Sequence, residues 1–343
     1  MPRIGRHPLK NINAKVDPLN HQEVTVTTIV YIPTLSGYWQ NSLEILKIFF
    51  DSLYQNTNQP FDLMVLDNGS CEEVQAYLLE LKGKGKIQIL TFSTQNLRKL
   101  GALNFLLSTA PGEFIAYADS DVLFLPGWLE GSLRILSTFP EAGKVTSLPI
   151  VGGDSTLLPT YKIAMNDPTI TIKTGELIPD TFIDAHRLSL GQTKESYLLR
   201  MKNRKDVVLS RYGVDALLSG SDFQFTISRK AVDSVLPLII EDPEEYYDPI
   251  YSPILEKKLS NAGFWQLCTP GYFVHHIGNQ IPDLQKELPW VKPGYINPID
   301  PGGGRKQKRN RSVTDKILRI GFVRRILKRI YLSSYKLLYE RKN

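Results

Sequence analysis

The chain has 343 residues, of which 42% are hydrophobic and 22% charged, with two cysteines and a formal net charge of +6. This is ordinary globular composition for one large domain or two smaller ones, and two cysteines cannot form a disulfide scaffold. The N-terminal residues lack the apolar core of a secretory signal, and no run approaches the roughly 18 uninterrupted apolar residues that cross a bilayer. We therefore expect a protein of a reducing, cytoplasmic compartment, and we set aside the secreted, disordered and integral-membrane classes.

The positive charge is concentrated at the C-terminus. Residues 302–343 contain 14 Lys and Arg residues and two acidic residues, which leaves 27 basic and 33 acidic residues in the rest of the chain, a net charge of −6. The overall excess of positive charge therefore does not indicate that the body of the protein binds nucleic acid.

Apolar runs alternate with helical patterns as far as about residue 150. Strands are predicted at Val24–Ile32, Asp62–Leu66, Ile87–Phe92 and Glu113–Ala118, with helices around Leu43–Leu53, at Glu72–Leu81 and from about Gly101. This alternation favours parallel βαβ units, and hence an α/β fold with a Rossmann-like, mostly parallel sheet and helices on both faces.

After about Gly152 the alternation breaks down. The predicted elements are strands at Thr169–Lys173 and Gly220–Ser228, helices at Asp180–Lys202 and Ile254–Ala262, and a strand ending at Val274–His276. We divide the chain into a loose arm (1–22), a folded domain (23–280) whose two halves (23–150 and 151–280) differ in pattern, a Pro/Gly-rich linker (281–304) and a basic tail (305–343).

In an open parallel sheet, ligands bind beyond the carboxyl ends of the strands. The most informative strand end here is Asp119-Ser120-Asp121, which follows the buried run Ala116-Tyr117-Ala118. Two carboxylates two positions apart can hold a divalent cation that screens a pyrophosphate. The same pattern is also common in solvated turns and helix caps, so its context must decide.

That context is an ordered set of motifs at the predicted strand ends: Ile32-Pro33-Thr34, Val65-Leu66-Asp67-Asn68-Gly69-Ser70, the loop Asn96-Leu97-Arg98-Lys99-Leu100-Gly101-Ala102-Leu103-Asn104, and Asp119-Ser120-Asp121. In order and spacing, these motifs resemble those of the family-2 glycosyltransferases of the GT-A fold. The resemblance covers roughly residues 24–130. It implies that residues 23–280 form a catalytic domain with a nucleotide-binding half (23–150) and an acceptor half (151–280).

The resemblance implies roles in binding a nucleotide-sugar donor and Mn2+ or Mg2+. Asp67 is expected to accept a hydrogen bond from the base, which the backbone at Pro33 and Thr34 frames, and Lys99 to lie near the base, ribose or phosphates. The donor-binding set is Pro33, Thr34, Asp67, Lys99, Asp119 and Ser120, and the metal ligands are Asp119, Asp121 and His276.

The acceptor half carries a weaker resemblance. Gly220 and Ser221 open a segment similar to the floor of the family's acceptor pocket, although a plain strand and turn fits it equally well. The family's acidic base normally precedes the next helix, and here Tyr251-Ser252 stands in its place. We favour Asp248 as the base, with Glu245 and Glu256 as alternatives.

His276 follows the last predicted strand, within Val274-His275-His276-Ile277-Gly278-Asn279. The resemblance makes it a third metal ligand, and we prefer it to His275. A neutral imidazole suits Mn2+ better than Mg2+. An ordinary polar contact at a strand end is the alternative.

The tail has helical periodicity between Thr314 and Lys342. Its apolar side chains gather on one side (Phe322, Val323, Ile326, Leu327, Ile330) and its cations on another (Arg324, Arg325, Lys328, Arg329). Such a basic amphipathic helix is typical of segments that lie on an anionic membrane surface. Packing on the catalytic domain or on a partner is the alternative, and nucleic-acid binding is weaker.

The resemblance thus implies an inverting, non-processive glycosyltransferase that moves one sugar to a hydroxyl acceptor, and we expect a UDP-sugar as the donor. A lipid-linked or envelope glycan acceptor would suit a peripheral enzyme on the inner face of a membrane. A nucleotidyltransferase of an α/β fold and a catalytically silent nucleotide-sugar-binding scaffold are the alternatives. The first should show a Gly-rich phosphate loop near the first strand, and Pro33-Thr34-Leu35-Ser36-Gly37 is a poor one.

Overall fold

A computed structural model describes residues 21–150, 158–195, 197, 205–219, 222–239 and 254–291. All of them lie in the first of two compact units, Met1–Ile296. The loose arm up to residue 20, residues 292–304 of the linker and the basic tail lie outside the described residues. The predicted domain boundaries therefore stay predictions.

The described strands follow one another along the chain as β1 (Val24–Val30), β2 (Phe61–Asp67), β3 (Ile89–Phe92), β4 (Phe114–Asp119), β5 (Val122–Phe124), β6 (Ala142–Thr146), β7 (Thr171–Gly175), β8 (Asp206–Arg211), β9 (Val214–Leu217), β10 (Gln224–Ser228), β11 (Trp265–Cys268) and β12 (Val274–His276).

The described helices are α1 (Ser42–Gln55), α2 (Glu72–Gly83), α3 (Arg98–Thr109), α4 (Trp128–Thr138), α5 (Leu158–Ala164), α6 (Asp180–Ser189), α7 (Arg229–Val235), α8 (Ile254–Asn261) and α9 (Leu284–Glu287), with a short 3-10 turn at Gly37–Trp39. Among the described residues, no helix is both long enough and apolar enough to span a bilayer.

Ten of the described strands form one sheet in the order β3-β2-β1-β4-β10-β6-β11-β9-β8-β7. The first four are mutually parallel, and seven of the ten point the same way, because only β10, β9 and β7 run against their neighbours. The predicted α/β fold with a mostly parallel sheet is confirmed.

Helices pack on both faces of the sheet because successive strand side chains point to opposite faces. On β6, Val145 joins an apolar cluster with Ile135 of α4, whereas the preceding Lys144 reaches Glu256 of α8. The second face also buries Tyr117 and side chains of α3 and α7.

Two helix bounds differ from the sequence prediction. Helix α3 begins at Arg98 rather than near Gly101, so Lys99 lies in its first turn. Helix α6 ends at Ser189 rather than continuing to Lys202, and Gly191 follows with a left-handed φ of 61°. Glycine adopts that conformation without strain, which makes it a common helix terminator.

A second, two-stranded sheet is the feature that shapes the candidate site. β5 follows β4 after the two-residue turn Ser120-Asp121 and pairs antiparallel with β12, so that Val122 faces His276. α1 anchors β5 on its other side, because Ser52 Oγ accepts from the Phe124 amide at 3.1 Å and Asn56 Nδ2 donates to the Phe124 carbonyl at 2.8 Å. This small sheet brings His276, at the end of β12, next to the residues that follow β4.

Candidate active site

The chemistry gathers at the carboxyl ends of β1, β2 and β4. β10 runs antiparallel beside β4, so the residues before β10 lie at the same edge as those after β4. The Asp119 amide donates to the Phe223 carbonyl at 2.8 Å, which ties these two segments together. Asp222 is therefore a neighbour of the Asp119-Ser120-Asp121 turn.

Lys99 bridges two carboxylates across this edge. Its Nζ lies 3.0 Å from Asp119 Oδ2 and 3.8 Å from Asp222 Oδ2. The buried Tyr117 hydroxyl donates to the other oxygen of Asp119. Both oxygens of Asp119 are therefore engaged, and the 42% exposed Lys99 side chain is the partner with room to move.

The concentration of charge shifts the ionisation of these groups. Removal from bulk water raises the pKa of Asp119, and the charges of Asp121 and Asp222 raise it further, against the opposing effects of Lys99 and Tyr117. Burial alone would lower the pKa of Lys99, but the charges of Asp119 and Asp222 outweigh it, so the pKa is raised. The site thus concentrates negative charge and holds Lys99 as a cation.

Asp121 meets His276 across the β5–β12 pair. Asp121 Oδ2 lies 3.3 Å from His276 Nε2, and the Ile277 amide donates to the Asp121 carbonyl at 2.7 Å. The Phe223 ring stacks on the imidazole with centroids 4.3 Å apart. Burial would lower the pKa of His276, but its hydrogen bond to Asp121 and the nearby carboxylates raise it. The structure therefore brings two of the three predicted metal ligands into contact.

Asp67, at the end of β2, is buried in its own turn and does not face an open pocket for a base. Its carboxylate is fully buried, accepts from the Ser70 amide at 3.2 Å and accepts from Gln75 Nε2 at 2.9 Å. In this structure the carboxylate shapes the turn, and its contact with a base stays a prediction.

The side chain of Asn68 links that turn to the loop before α3 by two hydrogen bonds. Its side chain donates to Asn96 Oδ1 at 2.9 Å and accepts from the Leu97 amide at 2.8 Å. Arg98 then takes a left-handed φ of 57°, an uncommon value for a residue other than glycine. These contacts fix the start of α3 and thereby direct Lys99 towards Asp119.

The rest of the loop motif serves packing. Ala102 and Leu103 are buried in the core, and Asn104 makes two hydrogen bonds to the backbone of Leu238, at 2.7 and 2.8 Å. Pro33 is half-buried and Thr34 exposed beyond β1, at the predicted edge, and the Thr34 and Ser36 hydroxyls lie 3.0 Å apart. Ser120 is half-buried in the turn between β4 and β5.

Glu256 is not available as a catalytic base, which removes one of the three candidates. It forms an ion pair with Lys144, whose side chain is 1% exposed, and its own side chain is 10% exposed. The pair joins β6 to α8 in the interior. Without Glu256, the buried charge of Lys144 would be unpaired, which would lower the stability of the fold. Asp248, Glu245, Gly220 and Ser221 lie outside the described residues, so their roles stay predictions.

The donor atoms of Asp121 and His276 fit a divalent cation. Asp121 Oδ1 and His276 Nδ1 are buried without a hydrogen-bond partner in the described part of the chain, and a cation would satisfy the carboxylate oxygen. The described residues contain no group of three or more His, Cys, Asp or Glu side chains arranged to hold an ion. Ions of this class are commonly held by one or two protein ligands, with substrate phosphates completing the shell.

Sequence reasoning placed Asp222 and Phe223 in the segment similar to the acceptor floor, but it gave neither residue a role beside Asp119. Both lie in the predicted strand Gly220–Ser228, whereas β10 begins only at Gln224. The direction of that strand was not predicted, and a parallel strand would place its first residues at the opposite edge of the sheet.

Parts of this chain are similar to known proteins. The sequence model described as Glycosyl transferase family 2 matches residues 32–188. A curated relative, an uncharacterized glycosyltransferase (alr2836) of Nostoc sp. (strain PCC 7120), is 24% identical over 120 residues, which cover 35% of this chain and 37% of the relative.

Similar solved structures include the mannosyltransferase PcManGT of Pyrobaculum calidifontis in complex with GDP-Man and Mn2+, at 14% identity and a TM-score of 0.43, over 75% of this chain and 57% of that chain. GalNAc-T7 with UDP, GalNAc and Mn2+ matches at 15% identity and a TM-score of 0.44, over 76% of this chain and 44% of that chain. The chain thus spans less than two thirds of the length of each of these proteins.

Proposed function

We propose that this chain, whose residues 32–188 match the model of glycosyl transferase family 2, moves one sugar from a nucleotide-diphosphate donor to a hydroxyl acceptor with inversion at the anomeric carbon. The observation that carries the proposal is the convergence of Lys99, Asp119, Asp121 and His276 at the carboxyl edge of the sheet. Open α/β sheets bind nucleotides at this edge.

The transfer is a single displacement. The acceptor oxygen forms a bond to the anomeric carbon while the bond from that carbon to the diphosphate oxygen breaks, and the electron pair leaves with the diphosphate. The acceptor proton passes to a carboxylate base, for which Asp248 is our proposal and from which Glu256 is excluded by its ion pair. A sugar hydroxyl is a weak nucleophile, so a base within hydrogen-bond reach is needed.

The chain's own charges prepare the site for the leaving group. Asp121 and His276 would hold Mn2+ or Mg2+, which supplies positive charge to the departing diphosphate when it is bound. Lys99 supplies a second cation at the same edge, held in place by the loop that Asn68 orders. Preorganised charge of this kind stabilises the transition state more than the ground state.

Release of the nucleoside diphosphate tests the proposal. The purified chain would be incubated with UDP- and GDP-sugars, with Mn2+ or Mg2+ and with a panel of glycan and lipid-linked acceptors. We expect release with one donor, loss of release on Asp121→Ala, and an inverted anomeric configuration by NMR. Metal-dependent nucleotide binding without turnover on any acceptor would instead support the nucleotide-sugar-binding scaffold.

We further propose that the basic tail binds an anionic membrane surface and places the enzyme on the inner face of a membrane. The proposal rests on the sequence pattern between Thr314 and Lys342, in which apolar residues gather on one side of a predicted helix and cations on another. Sedimentation of the full chain with phosphatidylserine vesicles, but not with phosphatidylcholine vesicles, is the expected result. Replacement of Arg324, Arg325, Lys328 and Arg329 by Glu should abolish it, and sedimentation unaffected by these changes would contradict the proposal.

A further inference from the structure

We propose that Lys99 is an exchangeable counter-ion, which neutralises Asp119 in the ligand-free site and transfers to Asp222 and the donor diphosphate when a divalent cation binds. The inference rests on the proposed function, since it takes a cation and a diphosphate as the ligands. It assigns a positioning role to Asp222, which the sequence placed only within the segment similar to the acceptor floor.

The argument begins with the balance of charge at the site. Asp119, Asp121 and Asp222 lie around the same turn, and Lys99 is the cationic side chain that contacts two of them, at 3.0 and 3.8 Å. A divalent cation bound at this turn would repel Lys99, because like charges a few ångströms apart interact strongly where water is partly excluded. Lys99 therefore has to leave Asp119 before the full charge of that carboxylate can act on a cation.

Asp222 offers Lys99 a second position close by. A movement of Nζ by about 1 Å would bring it within hydrogen-bond distance of Asp222. Asp222 precedes Phe223, whose carbonyl accepts from the Asp119 amide at 2.8 Å, so the backbone holds the two carboxylates in a fixed relation while the lysine moves.

Asp119 is also prepared for the loss of Lys99. The Tyr117 hydroxyl donates to Asp119 Oδ1, whereas Lys99 contacts Oδ2. Departure of the lysine therefore frees one oxygen and leaves the other hydrogen-bonded, so the carboxylate keeps its orientation. The remaining contact would aim Oδ2 towards the cation.

The test measures binding of Mn2+ alone and of Mn2+ with inorganic pyrophosphate to the full chain, by electron paramagnetic resonance of free Mn2+ and by calorimetry. Lys99→Met should tighten binding of Mn2+ alone about tenfold, because a competing cation is removed. The same substitution should weaken binding of pyrophosphate in the presence of Mn2+ about tenfold, because a direct phosphate contact is lost. Lys99→Arg keeps the charge and should stay close to the wild type in both measurements.

Asp222→Asn supplies the second arm. It should weaken binding of Mn2+ alone about threefold, because Lys99 loses its alternative partner, and this effect should largely vanish in the Lys99→Met background, as a double-mutant cycle reports. Asp233→Asn is the matched control, since it removes one carboxylate from the exposed face of α7. Near-ultraviolet circular dichroism checks that every variant is folded.

The outcomes separate the inference from the proposed function. Opposite effects of Lys99→Met on the two ligands, with the Asp222 effect dependent on Lys99, support the exchange. Equal effects on both ligands, or an Asp222 effect that persists without Lys99, would overturn it while leaving metal use intact. Wild-type protein that binds no Mn2+ with or without pyrophosphate would overturn both the exchange and the metal-dependent function.

Discussion

Asp121 Oδ2 and His276 Nε2 lie 3.3 Å apart because β5 and β12 pair antiparallel and place their ends side by side. The carboxylate follows the fourth strand and the imidazole ends the last described strand. Their contact depends on the pairing of these two strands in the second, two-stranded sheet. Both residues are therefore expected to respond together to a bound cation.

Loss of either residue should reduce cation affinity and transfer. Asp121→Asn keeps the size of the side chain but removes its charge, and we expect turnover to fall at least about a hundredfold, as when charge stabilisation of a leaving group is lost. His276→Ala should weaken Mn2+ binding by about tenfold. Steady-state assays and Mn2+ titrations measure these effects. Asp215→Asn, on the exposed side of β9, is the control and should match the wild type.

Breaking the buried pair Lys144–Glu256 should be costly for stability, whereas the pair should contribute nothing to the chemistry. Glu256→Gln leaves Lys144 as an uncompensated cation in the core, which should lower the free energy of unfolding by about 3–5 kcal/mol. The double substitution Lys144→Met with Glu256→Leu should recover much of that loss, because no buried charge remains. Urea denaturation measures the stability, and a double variant that is folded but inactive would contradict the exclusion of Glu256 as the base.

Asn104 should affect folding rather than ligand binding. Its amide bonds the amide and carbonyl of Leu238, so Asn104→Leu leaves both backbone groups without these partners and should cost about 2–4 kcal/mol. The affinity for a nucleoside diphosphate should stay within about twofold of the wild type, since the Leu238 backbone engages both polar atoms of the Asn104 side chain. An unchanged melting temperature combined with lost nucleotide binding would show that Asn104 contacts the ligand.

The decrease of the free energy of unfolding at acidic pH should depend on Glu287. This carboxylate lies 3.0 Å from His275 Nε2, and that hydrogen bond holds its pKa below the ordinary value. A carboxyl group whose pKa is lower in the folded state stabilises the protein above its unfolded pKa, and the contribution disappears as the pH falls through the folded pKa.

Glu287→Gln should therefore lower stability near neutral pH and flatten the decline between about pH 5 and pH 3. Urea unfolding across this range measures the slope, and Glu176→Gln, on an exposed residue, should leave it unchanged. A Glu287→Gln profile parallel to that of the wild type would contradict the assignment.

The first 150 residues were predictable from the sequence because each parallel strand is a buried apolar run that ends in turn residues. Asp67 and Asp119 both end strands at the expected edge for that reason. The later residues were less predictable, because β10 and β12 run antiparallel and an apolar run does not indicate the direction of its strand. For this reason the position of Asp222 beside Asp119 was not predicted, whereas His276 was identified only through the family resemblance.

The sequence also did not predict the direction in which individual side chains point. Hydrogen bonds from Ser70 and Gln75 hold the Asp67 carboxylate within its own turn. Lys144 of β6 forms an ion pair with Glu256 of α8. Both depend on partners distant in the chain or on local loop geometry, neither of which periodicity reports. Acidic character alone could not distinguish a base from half of a buried ion pair.

Crystals grown with Mn2+ and a nucleoside diphosphate would test the central claim most directly, through the anomalous scattering of the ion. The account predicts a manganese peak within coordination distance of the Asp121 carboxylate and the His276 imidazole, with the diphosphate oxygens completing its shell. A fully occupied nucleotide whose diphosphate lies away from Asp121, or a manganese peak that neither residue contacts, would contradict it.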